Sequence, residues 1–383
     1  METKKYRFDE VTINFDKKRI PLSSAQREKR QGTFRYYGAQ GVIDHVDDYI
    51  FDGTYLLIAE DGENLKSKKQ NIAQVVDGQF WVNNHAHIVQ GNEQCDTRFL
   101  CYLINSMDLS GYVTGSAQPK LSQANLNAVT LSLPTLAEQK RIVEYLYMLD
   151  QKIDVNRQIN DNLQQQAAAI FRSWFVDCAP FGGKAPDEWE NVTLEDITAL
   201  VSRGITPKYA DDTDQIVINQ KCIRNHMIDL SLARTHTPKV INEKWLRFGD
   251  LLINSTGDGT LGRAAQVWFQ PKNLTVDSHV TIVRPAKENL IFYIGLWGIL
   301  HEKEIESLHT GSTGQTELPR DRVKTMELRL PDNDTLDRFN ALITPMAAAI
   351  VANQEENNRL AALRDAILPK LMSGEIDVSG INL

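Results

Sequence analysis

The sequence contains few cysteines, no long apolar run and no excess of basic residues. Its four cysteines, among 383 residues, include no C-x-x-C pair, which argues against a disulfide framework and against a structural zinc site. No apolar run approaches the roughly 18 residues of a membrane span, and the first ten residues lack the apolar core of a secretion signal. The net charge of -8 argues against a large non-specific nucleic-acid binder but permits local basic surfaces. We therefore expect a cytoplasmic protein that has no contact with membranes.

The length predicts two or three domains, and the chain repeats itself. The segment GSAQPKLSQANLNAVTLSLP ends at Pro134, and the similar GSTGQTELPRDRVKTMELRLP ends at Pro331, 197 positions later. Upstream, FDGTYLLIAEDG resembles FGDLLINSTGDG, and NHAHIVQ resembles DSHVTIVRP, in the same order. Several matches in one order predict two copies of one unit, each a β-rich region followed by a helix.

Each copy ends in a long heptad pattern. Thr135 and Glu138 predict a capping box at the start of the first helix. The apolar a/d positions then continue over about 33 residues, or about 48 Å of helix. The first seam consists of Ile142, Leu146, Leu149, Ile153, Asn156, Asn160, Leu163, Ala167, Ile170 and Trp174. The second seam consists of Phe339, Ile343, Met346, Ile350, Asn353, Asn357, Leu360, Arg364, Ile367 and Leu371.

Two asparagines lie at the middle of each seam. If the helices pair antiparallel, Asn156, Asn160, Asn353 and Asn357 meet at the centre and fix the register, as buried asparagines do in coiled coils. Pro345 should kink the second helix near its start, because proline removes a helical hydrogen bond. The alternative is a pair of long amphipathic helices that belong to ordinary cores.

The predicted architecture suits the reading of two separated patches on a periodic partner. A rod of about 48 Å spans more than one turn of duplex DNA, which is about 34 Å. The predicted fold class is α/β (α+β): two similar β-rich recognition domains, separated by a long antiparallel two-helix coiled coil, with a pseudo-two-fold internal repeat. The predicted domain limits are 1–135 and 179–331 for the β-rich regions, 136–178 and 332–378 for the helices, and 379–383 for a tail.

Several segments resemble the specificity subunits of type I restriction-modification systems. The segment LSLPTLAEQKRIVEYLYMLDQKIDVNRQINDNLQQQAAAIFRSWFVD is similar to the first conserved helical region of that family, and residues 328–378, which end in ALRDAILPKLMSGEIDV, are similar to the second. RYYGAQGVID, DGTYLLIAEDG, PDEWENVTLEDI and GDLLINSTGDGTLGR also resemble family segments, so that the similarity covers nearly the whole chain. The N-terminus departs from the family in lacking the P-x-x-W present at Pro186 and Trp189, and Pro345 interrupts the second helix.

The resemblance implies a non-catalytic subunit that gives a larger complex its DNA specificity. Each β-rich region would be a target recognition domain that reads one half of a split site in double-stranded DNA. The helices would set the spacing between the halves and dock two modification subunits, which carry the adenine methyltransferase. Restriction subunits would complete the complex. S-adenosylmethionine, ATP and Mg are expected on those partners, and no cofactor on this chain.

The β-rich regions are near neutral but contain local basic clusters. Residues 1–135 include 15 basic and 16 acidic residues, and residues 179–330 include 18 and 20. Basic clusters suit phosphate contacts, whereas amides and cations on loops suit base edges. The DNA-binding candidates are Lys17, Lys18, Arg19, Arg27, Lys29, Arg30, Lys66, Lys68, Lys69, Gln118, Lys120, Asn219, Lys221, Arg224, Asn225 and Gln315.

Enzyme motifs are weak, and we expect no catalytic, cofactor-binding or metal-binding residue. Gly257–Gly262 satisfies G-x-G-x-x-G, but the β-leaning RAAQVWFQP follows where a nucleotide site requires a helix, so we predict a glycine-rich hairpin. The sequence has no N-P-P motif for an adenine-flipping methyltransferase. His85, His87 and His279 lie in apolar strand-like runs and are predicted to be core histidines. The alternative function is a coiled-coil scaffold that assembles protein partners without reading DNA.

Overall fold

The computed structural model describes residues 2–68, 70–115, 118–211, 213–257, 259–311 and 316–376. The chain divides into two compact units, one formed by Met1–Ile153 with Arg359–Leu383 and the other by Asp154–Asn358. This division falls inside both long helices, whereas the sequence-based limits placed each helix in a segment of its own. None of the helices in the described ranges is long and apolar enough to cross a membrane.

Before the first long helix, the described residues of the first unit form ten strands and five short α-helices. The strands are β1 (Lys4–Arg7), β2 (Thr12–Asn14), β3 (Gln31–Gly38), β4 (Gly41–Val46), β5 (Phe51–Asp52), β6 (Tyr55–Ala59), β7 (Ala73–Val76), β8 (Gln79–Val82), β9 (Ala86–Gly91) and β10 (Thr130–Leu133). The helices are α1 (Phe8–Val11), α2 (Ser24–Glu28), α3 (Asn64–Ser67), α4 (Thr97–Ser106) and α5 (Gln123–Asn127). Two four-stranded sheets have the orders β2-β9-β6-β7 and β4-β3-β8-β5, and β1 pairs with β10.

The long helix α6 (Leu136–Phe171) begins in the first unit and ends in the second. The strands that follow are β11 (Glu190–Thr193), β12 (Thr198–Arg203), β13 (Ile216–Ile218), β14 (Ile223–Arg224), β15 (Met227–Ile228), β16 (Arg234–Thr235), β17 (Leu251–Asn254), β18 (Ala264–Gln266), β19 (Leu274–Val276), β20 (Val280–Pro285) and β21 (Glu327–Leu330). The remaining helices are α7 (Ile291–Leu300), α8 (Glu302–Ser307), α9 (Arg320–Lys324) and α10 (Asn333–Ser373).

The sheets of the second unit repeat those of the first. The order β12-β20-β17-β18 matches β2-β9-β6-β7, and all its pairs are antiparallel in both units. The β11–β21 pair matches β1–β10, and the parallel pair β13–β19 matches β3–β8. The predicted α+β class and the internal repeat are therefore confirmed.

The central strands β6 and β17 are buried on both faces. In β6, Leu56 and Ile58 pack into the core that contains α4, whereas Leu57 packs into a second core on the opposite face. In β17, Leu251 and Leu252 divide in the same way between a core with α7 and a core with β20. A strand covered on both faces shows no apolar-polar alternation, which explains the continuous apolar runs LLIA and LLIN in the sequence.

The two long helices begin and end close to the predicted positions. The capping box is confirmed, because the Thr135 amide donates to Glu138 Oε2 at 2.9 Å and the Glu138 amide donates to Thr135 Oγ1 at 3.4 Å. Helix α6 ends at Phe171 and is followed by one π-helical turn, Arg172–Val176. Helix α10 continues through Pro345, so that this proline does not end it.

Within each unit the halves of α6 and α10 pack antiparallel. In the first unit, Ile142 and Leu146 share a core with Leu371. The Arg364 guanidinium donates to Asp150 at 2.7 Å. In the second unit, the end of α6 shares a core with the start of α10 through residues that include Ala167, Phe171, Phe339, Ile343 and Ile350. The predicted seam residues Leu149, Ile153, Leu163, Ile170, Trp174, Met346, Leu360 and Ile367 are buried or half-buried.

The seam asparagines pair across the two helices in the second unit. Asn353 Nδ2 donates to Asn160 Oδ1 at 2.8 Å, and Asn156 Nδ2 donates to Asn357 Oδ1 at 2.9 Å. Asn156 Nδ2 also donates to a carboxylate oxygen of Glu356 at 2.7 Å. A shift by one heptad would place these amides opposite apolar side chains, so the pairs favour a single register.

The Asn160–Asn353 pair can be tested with single and double substitutions. Asn353→Leu should destabilise the second unit by about 1–3 kcal/mol, because the Asn160 amide loses its buried partner. The double variant Asn160→Leu with Asn353→Leu should recover most of that stability, since no polar group is then left unpaired. Thermal unfolding of the three variants measures the coupling. Ile159→Leu, on the exposed side of the same helix, is the control, and additive losses in the double variant would contradict the pairing.

Candidate nucleic-acid interface

The repeated Gly-Ser segments form equivalent loops in the two units. We define the Gly-Ser loops as residues 114–120 and 310–317. Antiparallel bridges close them between Thr114 and Lys120 and between Thr310 and Glu317. Lys120 also bridges Asp61, after β6, and Glu317 bridges Thr256, after β17. Residues 116–117 and 312–315, which include the candidate Gln315, lie outside the described residues. The structure thus places the described ends of both loops at the same edge of the repeated sheet.

In the first unit an ionic network centred on Glu60 anchors the loop. Arg19 Nη1 donates to Glu60 Oε2 at 2.9 Å, and the Lys120 ammonium lies 3.2 Å from Glu60 Oε1. Arg19 also donates to the carbonyls of Asp16 and Ala86 at 3.1 and 2.9 Å. Burial raises the pKa of Glu60, but Arg19 and the other cations outweigh burial and hold that pKa below its usual value. The network joins the 3-10 turn Asp16–Lys18 to the Gly-Ser loop.

His87 is fully buried behind this network. Its Nδ1 lies 2.6 Å from Asp16 Oδ2, and its Nε2 lies 2.8 Å from the Leu121 carbonyl oxygen. Burial lowers the pKa of His87, but the hydrogen bonds to Asp16 and to the Leu121 carbonyl raise it above its usual value. Burial similarly raises the pKa of Asp16, and the hydrogen bonds from His87 and from the Ile88 amide lower it below its usual value. This pair fixes the chain at the end of the loop.

Two exposed lysines without an ion-pair partner among the described residues lie on the 3-10 turn that the network joins to this loop, whereas Lys120 is paired with Glu60. Lys17 and Lys18 are exposed on the 3-10 turn, and Lys120 is exposed on the Gly-Ser loop. Within the described ranges no carboxylate lies at ion-pair distance from Lys17 or Lys18, and the Lys18 ammonium lies 5.2 Å from the centre of the Phe15 ring. Uncompensated lysines beside a loop are suited to contact phosphates. Gln118 is exposed on the same loop.

In the second unit a different set of side chains anchors the equivalent loop. Arg203 forms an ion pair with Glu317 and donates from Nη2 to the Leu318 carbonyl at 2.8 Å. Behind the loop, the hydroxyls of Ser255 and Thr281 lie 2.6 Å apart. Sequence reasoning missed Glu60, Asp16 and Arg203, because nothing near each residue in the chain indicates its distant partner.

The candidates around Lys221 lie beside the glycine-rich loop. Strands β17 and β18 pair antiparallel on either side of Gly257–Gly262, which confirms the predicted hairpin. Asn254 Nδ2 donates to the Gln220 carbonyl at 3.0 Å, which places the turn Gln220–Cys222 next to this loop. Lys221 is exposed there. Asn219 is buried and bonds to the Lys221 amide and the Leu232 carbonyl, which leaves it a capping role.

The remaining candidates are attached to other elements. Arg27 and Arg30 form ion pairs with Asp44 and Asp47, both at 2.8 Å, and Lys29 between them is exposed. Lys68 forms an ion pair with Asp108 at 2.9 Å, Lys66 is exposed, and Lys69 lies outside the described residues.

Arg224 and Asn225 belong to the β14–β15 hairpin rather than to the Gly-Ser loop cluster. Asn225 and His226 have positive φ angles of 51° and 61° at its turn. Asn225 lines a cavity of about 350 Å³ together with Asp161 and Gln164 of α6. The side of this turn that carries Asn225 therefore faces the long helix of its own unit.

The three histidines differ in their surroundings. His87 is a core residue as predicted, but the prediction is wrong for His85 and His279, which are exposed. His85 lies 2.7 Å from Asp61, and His279 lies 2.7 Å from the Thr256 hydroxyl. Each lies just before a strand, in a turn where its own amide donates to a side-chain oxygen two residues earlier, that of Asn83 or Asp277. This turn directs both rings toward solvent. The described ranges contain no group of three metal-ligating side chains.

Comparison with known proteins finds similarity to one family in the first part of the chain and to two relatives over most of it. Residues 2–165 match the family described as the type I restriction modification DNA specificity domain. A Haemophilus influenzae protein named as a type I restriction enzyme specificity subunit is 25% identical over 94% of each chain. The MjaIX specificity subunit of Methanocaldococcus jannaschii is 26% identical over 74% of this chain and 69% of its own length.

A solved structure shows the same fold. The crystal structure of a type I restriction-modification S subunit from M. genitalium has a TM-score of 0.58 and 12% sequence identity, and the match covers 97% of this chain and 96% of the other. This match shows that the two chains share a fold, and the sequence matches show similarity to proteins named as type I restriction enzyme specificity subunits.

The lysines of the 3-10 turn can be tested by their salt dependence. Replacing Lys17 and Lys18 together by alanine should weaken binding to every duplex alike and reduce the slope of log affinity against log salt by about two. Fluorescence anisotropy at several salt concentrations measures both quantities. Lys184→Ala, an exposed lysine that already pairs with Asp187, is the control. Unchanged affinity and slope in the double variant would place Lys17 and Lys18 off the interface.

Proposed function

We propose that this chain is the non-catalytic subunit that gives a type I restriction-modification complex its DNA sequence specificity. Each unit reads one half of a bipartite site with the edge that carries its Gly-Ser loop. The repetition of that edge supports the proposal. The two loops have similar sequences, and each is bridged to a residue that follows the equivalent strand of its unit, β6 or β17. Their side chains differ, as Lys120 and Glu317 show. Equivalent closing bridges with different side chains are what the reading of two different half-sites requires.

The long helices would fix the spacing between the half-sites and bind the modification subunits. The paired seam asparagines support the first role, because they favour one register. Exposed apolar side chains support the second, since a soluble protein rarely leaves such residues along a helix without a partner. Those on the long helices include Met148, Val155, Ile159, Leu342 and Leu363, each between 42% and 49% exposed. S-adenosylmethionine, ATP and Mg would be bound by the partner subunits.

Methylation mapping tests the specificity role. The chain is co-expressed with the modification and restriction subunits of its own system, and methylated adenines are located across the host DNA. We expect a motif of two short defined parts separated by a fixed gap, which disappears when this chain is omitted. A stable complex without a new motif would instead favour a scaffold that assembles protein partners. Failure to form any complex would contradict the proposed assembly.

The docking role can be tested on the exposed face of α6. Val155→Asp together with Ile159→Asp should abolish co-purification of the modification subunit, because the charges would be buried in the new interface. The fold should be retained, since both side chains are exposed in the isolated chain. Gln151→Asp, at an exposed position of the same helix, is the matched control. Full co-purification of the double variant would place the docking surface elsewhere.

A further inference from the structure

Different basic side chains contact an equivalent backbone carbonyl in the two units. Leu121 and Leu318 follow the two Gly-Ser loops, and their amides donate to the carbonyls of Glu60 and Ser255, both at 2.8 Å. The carbonyl of Leu121 accepts from His87 Nε2 at 2.8 Å. The carbonyl of Leu318 accepts from the Arg203 guanidinium, also at 2.8 Å. A histidine therefore contacts the end of one loop, and an arginine contacts the end of the other.

The basic side chain comes from different strands in the two units. In the second unit Arg203, at the end of β12, lies opposite Thr281 of β20. Thr281 has the place in β20 that His87 has in β9, because the segments NHAHIVQ and DSHVTIVRP correspond. In the first unit the chain after β2 contributes Asp16, a carboxylate that contacts His87. The side chain that contacts the loop carbonyl therefore comes from opposite strands of the equivalent pair in the two units: from β9 in the first unit and from β12 in the second.

Both ring nitrogens of His87 face oxygen acceptors. Full donation to Asp16 and to the Leu121 carbonyl requires a doubly protonated ring, since a neutral imidazole has only one N–H. The carboxylates that face the ring are Asp16 and Glu60, the latter 4.0 Å from Nδ1. The cations of this cluster, Arg19 and Lys120, both contact Glu60. An arginine guanidinium, by contrast, stays protonated across the working range of pH.

We propose that His87 is a positioning residue for DNA binding: as an imidazolium it holds Leu121, at the end of the Gly-Ser loop of the first unit, in place for DNA binding, whereas Arg203 does the same for Leu318 in the second unit at any pH. The two halves of the recognition site therefore differ in their response to pH. The proposal rests on the proposed function, because it assigns the loops to the DNA interface.

The direction of the pH effect follows from the protonation state. The pKa of His87 is raised in the folded chain. Its stabilising contribution is therefore complete below the pKa of an unfolded histidine, about 6.5, and is lost as the pH rises through the higher folded value. Above that value one nitrogen presents a lone pair to an acceptor, and the loop of the first unit loses one of its anchors, while the ionic network centred on Glu60 remains. The loop of the second unit keeps its anchor over the same range.

Amide hydrogen exchange on the full chain tests the anchoring without DNA. Between pH 6 and pH 9, protection factors around residues 118–126 should fall on the order of tenfold, which corresponds to one buried hydrogen bond to a charged group. Protection around residues 316–323 should stay constant. His87→Gln, which cannot titrate, should make the first profile flat. His85→Gln, two residues away and exposed, is the control and should leave it unchanged.

A second variant covers the case in which His87→Gln does not fold. Asp16→Asn keeps an oxygen for the Ile88 amide, which donates to Asp16 Oδ1 at 2.8 Å, but it removes the charge that favours the imidazolium. The midpoint of the exchange profile should then move to lower pH. An unchanged midpoint in Asp16→Asn, or an unchanged profile in His87→Gln, would overturn the proposal.

DNA binding completes the test. The probes are a duplex that carries the methylated motif and two duplexes in which one half of the motif is replaced. From pH 6 to pH 9 the discrimination of one half should fall on the order of tenfold, and that of the other half should remain. Equal changes at both halves, or no change where exchange shows a loosened loop, would overturn the proposal. Absence of DNA binding at every pH would refute the proposed function, while the exchange profiles would still report on the anchor.

Discussion

The amide pairs between Asn160 and Asn353 and between Asn156 and Asn357 are the constraint on which the helical part of the structure depends. Apolar seams tolerate a slip of one heptad, because leucine meets leucine again after the slip. An amide that meets leucine loses its hydrogen bond inside a partly buried interface, which costs more than the packing it replaces. The asparagines therefore make the seam less apolar but restrict the two helices to a single register.

In the first unit a salt bridge, rather than a pair of amides, joins the two long helices in the same register. Arg364 occupies an a/d position of α10, and its guanidinium donates to Asp150 at 2.7 Å. The hydroxyl of Tyr102, on α4, donates to the same carboxylate at 2.5 Å. A polar residue in a seam is unfavourable unless it is paired, and here the pairing includes a helix of the recognition unit. The long helices are thus joined to the globular part of the unit by specific polar contacts as well as by apolar packing.

Local patterns predicted the features that depend on neighbouring residues. The capping box at Thr135, the heptads, the glycine-rich hairpin and the repeat of two units all follow from spacing along the chain. The anchors of the Gly-Ser loops could not be predicted in this way. Arg19 meets Glu60 across 41 residues, and Arg284 meets Asp250 across 34, and only the folded sheet brings such pairs together. The histidines show the same limit, since His85 and His87 share one apolar run but only His87 is buried.

Pairing within the chain also determines how much charge remains for DNA. The arginines that form ion pairs with carboxylates include Arg19, Arg27, Arg30, Arg98, Arg203, Arg284 and Arg364. Their charge is largely neutralised locally, and the whole chain carries a net charge of -8. Under the proposed function, non-specific affinity must then rest on a few uncompensated lysines such as Lys17 and Lys18, and it is correspondingly weak. Tight binding requires both units to engage at once, because the second contact then benefits from the high effective concentration that the first provides. A weakly charged chain with two linked recognition units therefore discriminates a complete bipartite site from a single half more sharply than a strongly basic chain would.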